Sequence, residues 1–257
     1  MYTFDSKIRY TECDMEGYLT IESLVDYFQD CSTFQTQLGP ATMEYLAKDG
    51  IAWVISSWHI VINRLPKLGE NVTIGTVPYK LSGFLGLRNF FMDTDSGERV
   101  AIANSVWSLI NLQKGTPQRV TKEIEDTYPL DKELEMEKAP RKIKIPEDAK
   151  VYKAEAKKIG QHHLDTNNHV NNGQYIRIAL TACKSAAVET GNDNLKTLDE
   201  AREGMHIRAE YKQQAHLGDM IFPVIYESKD EEGRNVYVIS LNDENEKPYS
   251  IVELVRK

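Results

Sequence analysis

The chain reads twice through one order: a strand, a long helix, then four strands. Any fold it adopts must accommodate both passes. In the first pass a strand pattern covers 2–10 and Thr20 stands as a helix N-cap. Ile21, Leu24, Val25, Phe28, Cys31 and Leu38 then follow at helical spacing, and a shorter helix is expected near 41–48. Strand patterns cover 51–64, 72–79, 85–93 and 100–112, with Asp95-Ser96-Gly97 as a hairpin signal between the last two. In the second pass a strand covers 151–159 and a helix covers 172–190. Strands follow at 205–214, 220–228, 234–242 and 249–255. Between the passes, 113–150 dissolves into Lys, Glu and Pro, which predicts a linker with one short helix. The expected division is a first domain at 1–125, a linker at 126–150 and a second domain at 151–257.

The repeat is visible in residues too. A shift of 151 places Asp14 on Asp165, Leu19 on Val170, Leu24 on Tyr175 and Val25 on Ile176. A shift of 149 places Leu68-Gly69-Glu70 on Leu217-Gly218-Asp219. Two related shifts with a small deletion are what a duplicated domain leaves behind. The copies differ in polarity: His169 falls on Tyr18, Asn167 on Glu16 and Gln214 on Leu65. The second copy therefore holds the polar set and the first holds bulk.

The polar set centres on Asp165-Thr166-Asn167-Asn168-His169-Val170-Asn171-Asn172-Gly173. In an extended segment alternate side chains share a face, so Asp165, Asn167 and His169 converge on one side. Asn171, Asn172 and Gly173 stand where the 172–190 helix begins. Their backbone donors suit a developing negative charge, and the helix dipole favours the same sign. Spacing alone also fits an Asn-rich cap beside a surface histidine. His162, His163, Asp165 and His169 could gather on zinc, but the intervening asparagines and the lack of a second carboxylate or a Cys pair weigh against it.

A net charge of -8 argues against a nucleic-acid or anionic-membrane binder. No apolar run approaches the ~20 residues of a membrane span, and the N-terminus lacks a secretory pattern. Cys13, Cys31 and Cys183 form an odd, scattered set, which predicts reduced thiols and a cytoplasmic setting. Cys183 lies in a helical stripe and is expected to pack rather than react.

The chain resembles the bacterial acyl-acyl carrier protein (acyl-ACP) thioesterases and is similar to their plant counterparts. In the first half the resemblance rests on Ile51-Ala52-Trp53-Val54, on Ile62-Asn63-Arg64-Leu65-Pro66-Lys67-Leu68-Gly69-Glu70 and on Asn104-Ser105-Val106-Trp107. In the second half it rests on Asp165-x-Asn167-x-His169-Val170-Asn171-Asn172 with Tyr175-Ile176, and on Glu210-Tyr211 before Leu217-Gly218-Asp219. It implies an α+β tandem hotdog, in which each unit wraps a curved antiparallel sheet around a long central helix. It also implies hydrolysis of fatty acyl-ACP to free fatty acid and holo-ACP, ending chain elongation. An acyl-CoA thioesterase and a non-catalytic acyl-binding protein are the alternatives.

The resemblance assigns Asp165, Asn167 and His169 to the active site, with a carboxylate and then a cysteine near the end of the strand that starts near Met205. Here those two positions read Gln214 and Ala215. A neutral amide holds water but does not take its proton at pH 7. Asp165 is then the expected general base or, less simply, a direct nucleophile. Asn167 and Gln214 orient water or thioester, and His169 binds the carbonyl or the water and protonates the departing thiolate. Backbone donors at Asn171, Asn172 and Gly173 hold the oxyanion. No metal, nucleotide or redox cofactor is expected. In the implied fold the first long helix borders the acyl tunnel, so Leu24, Phe28 and Trp53 are the expected pocket residues. The expected partner is an acyl carrier protein, itself acidic, met by basic residues of the second half: Lys153, Lys157, Lys158, Arg177, Lys184, Arg202, Arg208 and Lys212. The expected state is a monomer or loose homodimer.

Overall fold

The computed structural model of this 257-residue chain describes residues 1–165, 168–199 and 202–256. It divides into two compact units, Met1–Ile60 with Leu65–Ala139 and Val61–Arg64 with Pro140–Lys257.

The first unit contains β1 (Tyr2–Lys7), α1 (Ile21–Gln37), α2 (Met43–Lys48), β2 (Ile51–Arg64), β3 (Asn71–Ser82), β4 (Leu85–Thr94), β5 (Arg99–Asn111), β6 (Thr116–Pro117) and α3 (Lys122–Thr127). Its strands run in the order β1-β3-β4-β5-β2. Thr20 starts α1 by accepting the Ser23 N–H on its hydroxyl at 3.3 Å. The expected stripe is buried through Cys31, with Leu24, Val25, Phe28 and Cys31 each 0 % exposed, so α1 lies along the sheet as its core; Leu38, expected to extend it, is the C-cap and is exposed because the helix ends at Gln37. Phe28 meets Trp58 and Phe90 at ring separations of 6.2 and 5.4 Å.

The second unit contains β7 (Lys150–Lys153), β8 (Lys157–Lys158), α4 (Asn172–Thr190), α5 (Asp193–Asp199), β9 (Glu203–Tyr211), β10 (Met220–Lys229), β11 (Asn235–Asn242) and β12 (Pro248–Arg256). Read from β7, its order is β7-β10-β11-β12-β9, the order of the first unit over again. These pairs are antiparallel. Tyr175, Ile176, Ala179, Leu180, Cys183 and Ala187 of α4 are buried, and Gly191 ends the helix at φ 69°.

Two stretches differ from the sequence reading. The strand expected at 151–159 is two short pieces, because it runs opposite Pro223 of β10. Proline has no N–H to donate, and the register slips by one residue between Val224↔Lys153 and Ile221↔Lys157. The expected linker is anchored at both ends. Tyr128 is buried and shares a 3.0 Å hydrogen bond with the Thr36 hydroxyl, and Leu134 N–H donates to Asn89 Oδ1. Further on, Ile143 N–H donates to the buried Glu210 carboxylate at 3.0 Å, while Arg208 donates to the carbonyls of Pro140 and Lys142.

Candidate active site

Asp165 and His169 are joined by one tight turn. Asp165 N–H donates to His169 O at 2.8 Å, Asn168 N–H donates to Asp165 O at 3.1 Å, and His169 N–H donates to Asp165 Oδ1 at 3.3 Å. An aspartate that accepts from the backbone ahead of it closes such a turn locally. The turn needs one left-handed residue, and Asn168 takes it at φ 59°. Asn167, expected to share the face of Asp165 and His169, lies outside the described residues.

Directly after the turn, Asn171 caps α4 by accepting the Gly173 N–H on its side-chain oxygen at 2.8 Å. Asn171 N–H donates to His163 O at 2.9 Å. Two of the three backbone donors expected to hold an oxyanion are therefore engaged within the chain, and a substrate oxygen would share or displace those bonds.

The loop after β9 is stitched to this turn. Val170 N–H donates to Ala215 O at 3.1 Å, and Ala215 N–H donates to the Tyr175 hydroxyl at 2.9 Å. Gln214 is exposed on that loop. Its neighbour Gln213 points away and donates to Lys247 O. The residue of this loop that reaches the motif is His216, whose ring centroid stands 5.1 Å from that of His169. Sequence reasoning missed it. The available signal was the 149-residue shift, which carries Lys67 onto His216. Lys67 sits 5.1 Å from the centre of the Tyr18 ring, the first unit's equivalent of His169.

Burial and the neighbouring His216 both hold His169 below the ordinary imidazole range, and Asp165 pulls the other way. At neutral pH His169 is thus an acceptor as well as a donor. Burial likewise lowers His163, whose Nδ1 accepts the Gly160 N–H. Tyr175 is pushed up to about 12 by burial, so its hydroxyl acts as an uncharged hydrogen-bond partner. Among the described residues no three His, Cys, Asp or Glu side chains gather to hold a metal.

Residues 1–128 match the family model of the acyl-ACP thioesterase N-terminal domain. The chain belongs with the acyl-ACP thioesterases. It is 29 % identical over 212 residues to the oleoyl-acyl carrier protein thioesterase 2 of Arabidopsis thaliana, covering 76 % of this chain and 58 % of that protein. The chain spans little more than half the length of the curated relatives it matches. In structure it is similar to an acyl-ACP thioesterase of Bacteroides thetaiotaomicron, with a TM-score of 0.78, 19 % identity, and coverage of 99 % of this chain and 97 % of that one. It is also similar to the 12:0-ACP thioesterase of Umbellularia californica, with a TM-score of 0.76, 15 % identity, and coverage of 100 % and 93 %. The fold is the tandem hotdog of the acyl-ACP thioesterases.

The remaining expected residues of this acyl-ACP thioesterase relative are distributed as follows. Leu24 and Phe28 lie at the centre of the helix-sheet core of the first unit. Trp53 is half-buried and packs on a neighbouring cluster that includes Leu109 and Tyr128. Cys183 is fully buried, and the Cys31 thiol is pushed up to about 12 by burial, so neither is a ready nucleophile. Of the basic residues, Arg208 is paired with Glu253 at 2.7 Å and Lys212 with Glu210 at 2.9 Å. Those two charges are spent within the unit. Lys153, Lys157, Lys158, Arg177 and Lys184 are exposed.

Proposed function

We propose that the chain hydrolyses fatty acyl-ACP thioesters to free fatty acid and holo-ACP. The observation that carries this reading is a carboxylate and a neutral imidazole fixed by one turn at the N-terminus of α4, in a chain whose first half matches the acyl-ACP thioesterase domain. The thioester carbonyl oxygen faces the first turn of α4 at Asn171–Gly173, where backbone donors and the dipole favour the oxyanion. Asp165 takes a proton from water as the water oxygen bonds to the carbonyl carbon. Asn167 and Gln214 orient the water or the thioester, and His169 holds the water or the carbonyl. The tetrahedral intermediate then collapses, the C–S bond breaks, and the thiolate leaves with the proton returned through the site. A thiolate is a good leaving group, so weak acid assistance from His169 suffices. The mechanism calls on no cofactor.

Leu24, Phe28 and Trp53 set the acyl length in this reading, and the exposed lysines with Arg177 and Lys184 receive the acidic carrier protein. The setting is the cytoplasm. None of the described helices is long and apolar enough to cross a membrane. The test is a matched assay on the same acyl chain carried by ACP and by coenzyme A. Preferential release from ACP supports the proposal. Preferential release from coenzyme A replaces the substrate, and binding without turnover on either replaces the enzyme with an acyl-binding protein.

A further inference from the structure

His216 occupies its place because the fold puts a side chain there in both units. In the first unit Leu19 N–H donates to Pro66 O, Lys67 N–H donates to Glu70 Oε2, and Gly69 N–H donates to Ile8 O. In the second, Val170 N–H donates to Ala215 O, His216 N–H donates to Asp219 Oδ2, and Gly218 N–H donates to Ile159 O. These three bonds fall on equivalent residues of the two loops. Each presents one side chain over the residue that closes the aspartate turn: Lys67 over Tyr18, and His216 against His169. In the first unit that pair is a cation on an aromatic face, a common stabilising contact. In the second unit both members are imidazoles, and the neighbouring position 214 carries an amide where the resemblance expects a carboxylate.

We propose that His216 is a positioning residue of the thioester-hydrolysing site, its imidazole paired with that of His169 so that the two rings hold a single proton between them. The activity arm of this inference rests on the hydrolase reading; the titration arm does not. Two imidazoles at this distance do not both accept a proton at little cost, so they titrate as a coupled pair. Protonation of His216 keeps His169 neutral, with a lone pair for water, over a wider acidic range than His169 would manage alone. The charged and titratable groups facing the pair are Asp165 from the turn, Asp219 at the end of the His216 loop, Tyr175 on α4, and Tyr249 on β12, whose hydroxyl reaches Asp219. Asp165 favours a charged His169. Asp219 lies on the His216 side, where it accepts the His216 backbone N–H.

The test is to follow the His169 ring by NMR through pH 5–9 in the full chain and in two variants. His216→Ala removes the neighbouring charge, so the His169 midpoint rises. His216→Lys restores the permanent charge that Lys67 supplies in the first unit, so the midpoint falls. A ring that only packs shifts neither midpoint, or shifts both the same way. With an acyl-loaded carrier protein, kcat of His216→Ala should fall below wild type as pH drops, by up to about twofold at pH 6.5 and several-fold at pH 5.5, with no difference at pH 8.5, since an imidazole with a midpoint at or below about 6.5 titrates across this range. His169 midpoints unchanged in both variants overturn the pairing. A wild type that hydrolyses nothing while the midpoints move apart overturns the hydrolase reading and leaves the pairing standing.

Discussion

Changing Asp165 to Asn keeps an oxygen for the His169 N–H and removes the basic carboxylate, so it tests the chemistry with the turn retained. Loss of a general base commonly costs ~10²–10⁴-fold, and kcat of Asp165→Asn should fall by that much. Near-wild-type turnover would transfer the base to His169. Gln214→Ala should cost less, about tenfold or under, because it deletes an orienting amide on an exposed loop. Gln214→Glu adds a carboxylate to the loop that Val170 ties to the Asp165 turn; in the proposed site like charges raise at least one pKa, so the pH profile should move upward. It should also restore part of the activity of Asp165→Asn. Stability carries a pH signature of its own. His163 and His169 are both depressed in the folded chain, so the unfolded chain binds more protons as pH falls through their ordinary value. Their contribution is therefore intact above the unfolded value of about 6.5 and declines below it. Thermal melts should show a lower Tm at pH 5.5 than at 7.5, with a smaller difference in His169→Gln.

At the level of elements, the two long helices start from side-chain caps of different kinds. Asn171→Ala deletes the acceptor of the Gly173 N–H and should cost about 1 kcal/mol, or a Tm loss of ~2–4 °C in a chain of this size. It should also weaken turnover beyond that, because the first turn of α4 is the proposed oxyanion site; equal losses of stability and turnover in Thr20→Ala and Asn171→Ala would remove that role. Asn168 is the other exacting position. Glycine at φ 59° is tolerated, whereas Asn168→Val should cost about 1–2 kcal/mol and loosen the link between Asp165 and His169. Much of this was legible in sequence because it is local. Thr20 and the stripe through Cys31 define α1 within one residue, and 172–190 is the extent of α4. Contacts between distant segments were not legible. Pro223 breaks a strand 70 residues away from it in sequence, and Glu210 and Arg208 grip the segment that reads as a loose linker. His216 belongs to the same class: hydrogen bonds from Val170 to Ala215 and from Ala215 to the Tyr175 hydroxyl bring its loop to the motif.

Across the whole molecule, the proposed division of labour gives bulk to the first unit and chemistry to the second. If the first unit sets acyl length, then Leu24→Val, Phe28→Leu and Trp53→Phe should shift released fatty acids toward longer chains. Each methylene newly accommodated gains about 0.8 kcal/mol, or roughly fourfold in kcat/KM. Unchanged product profiles in folded variants would place the tunnel elsewhere. Carrier-protein recognition should depend on salt. Turnover of acyl-ACP at subsaturating concentration should fall more steeply with ionic strength than turnover of a neutral short thioester. Lys157→Glu with Lys158→Glu should flatten that dependence, whereas equal salt sensitivity of the two substrates would remove the patch.

The twin turns also supply a built-in control experiment. Asp14 closes the first turn as Asp165 closes the second: its N–H donates to Tyr18 O, and its Oδ1 accepts the Tyr18 N–H at 3.0 Å. An aspartate at this position thus has an architectural reason to exist in either unit. Its persistence at 165 therefore does not by itself identify a base. Asp14→Ala reports what losing such a turn costs the molecule in melting temperature. Asp165→Ala reports that cost together with any loss of catalysis. The difference between the two in turnover, once matched for stability, isolates the contribution of the Asp165 carboxylate to the proposed chemistry.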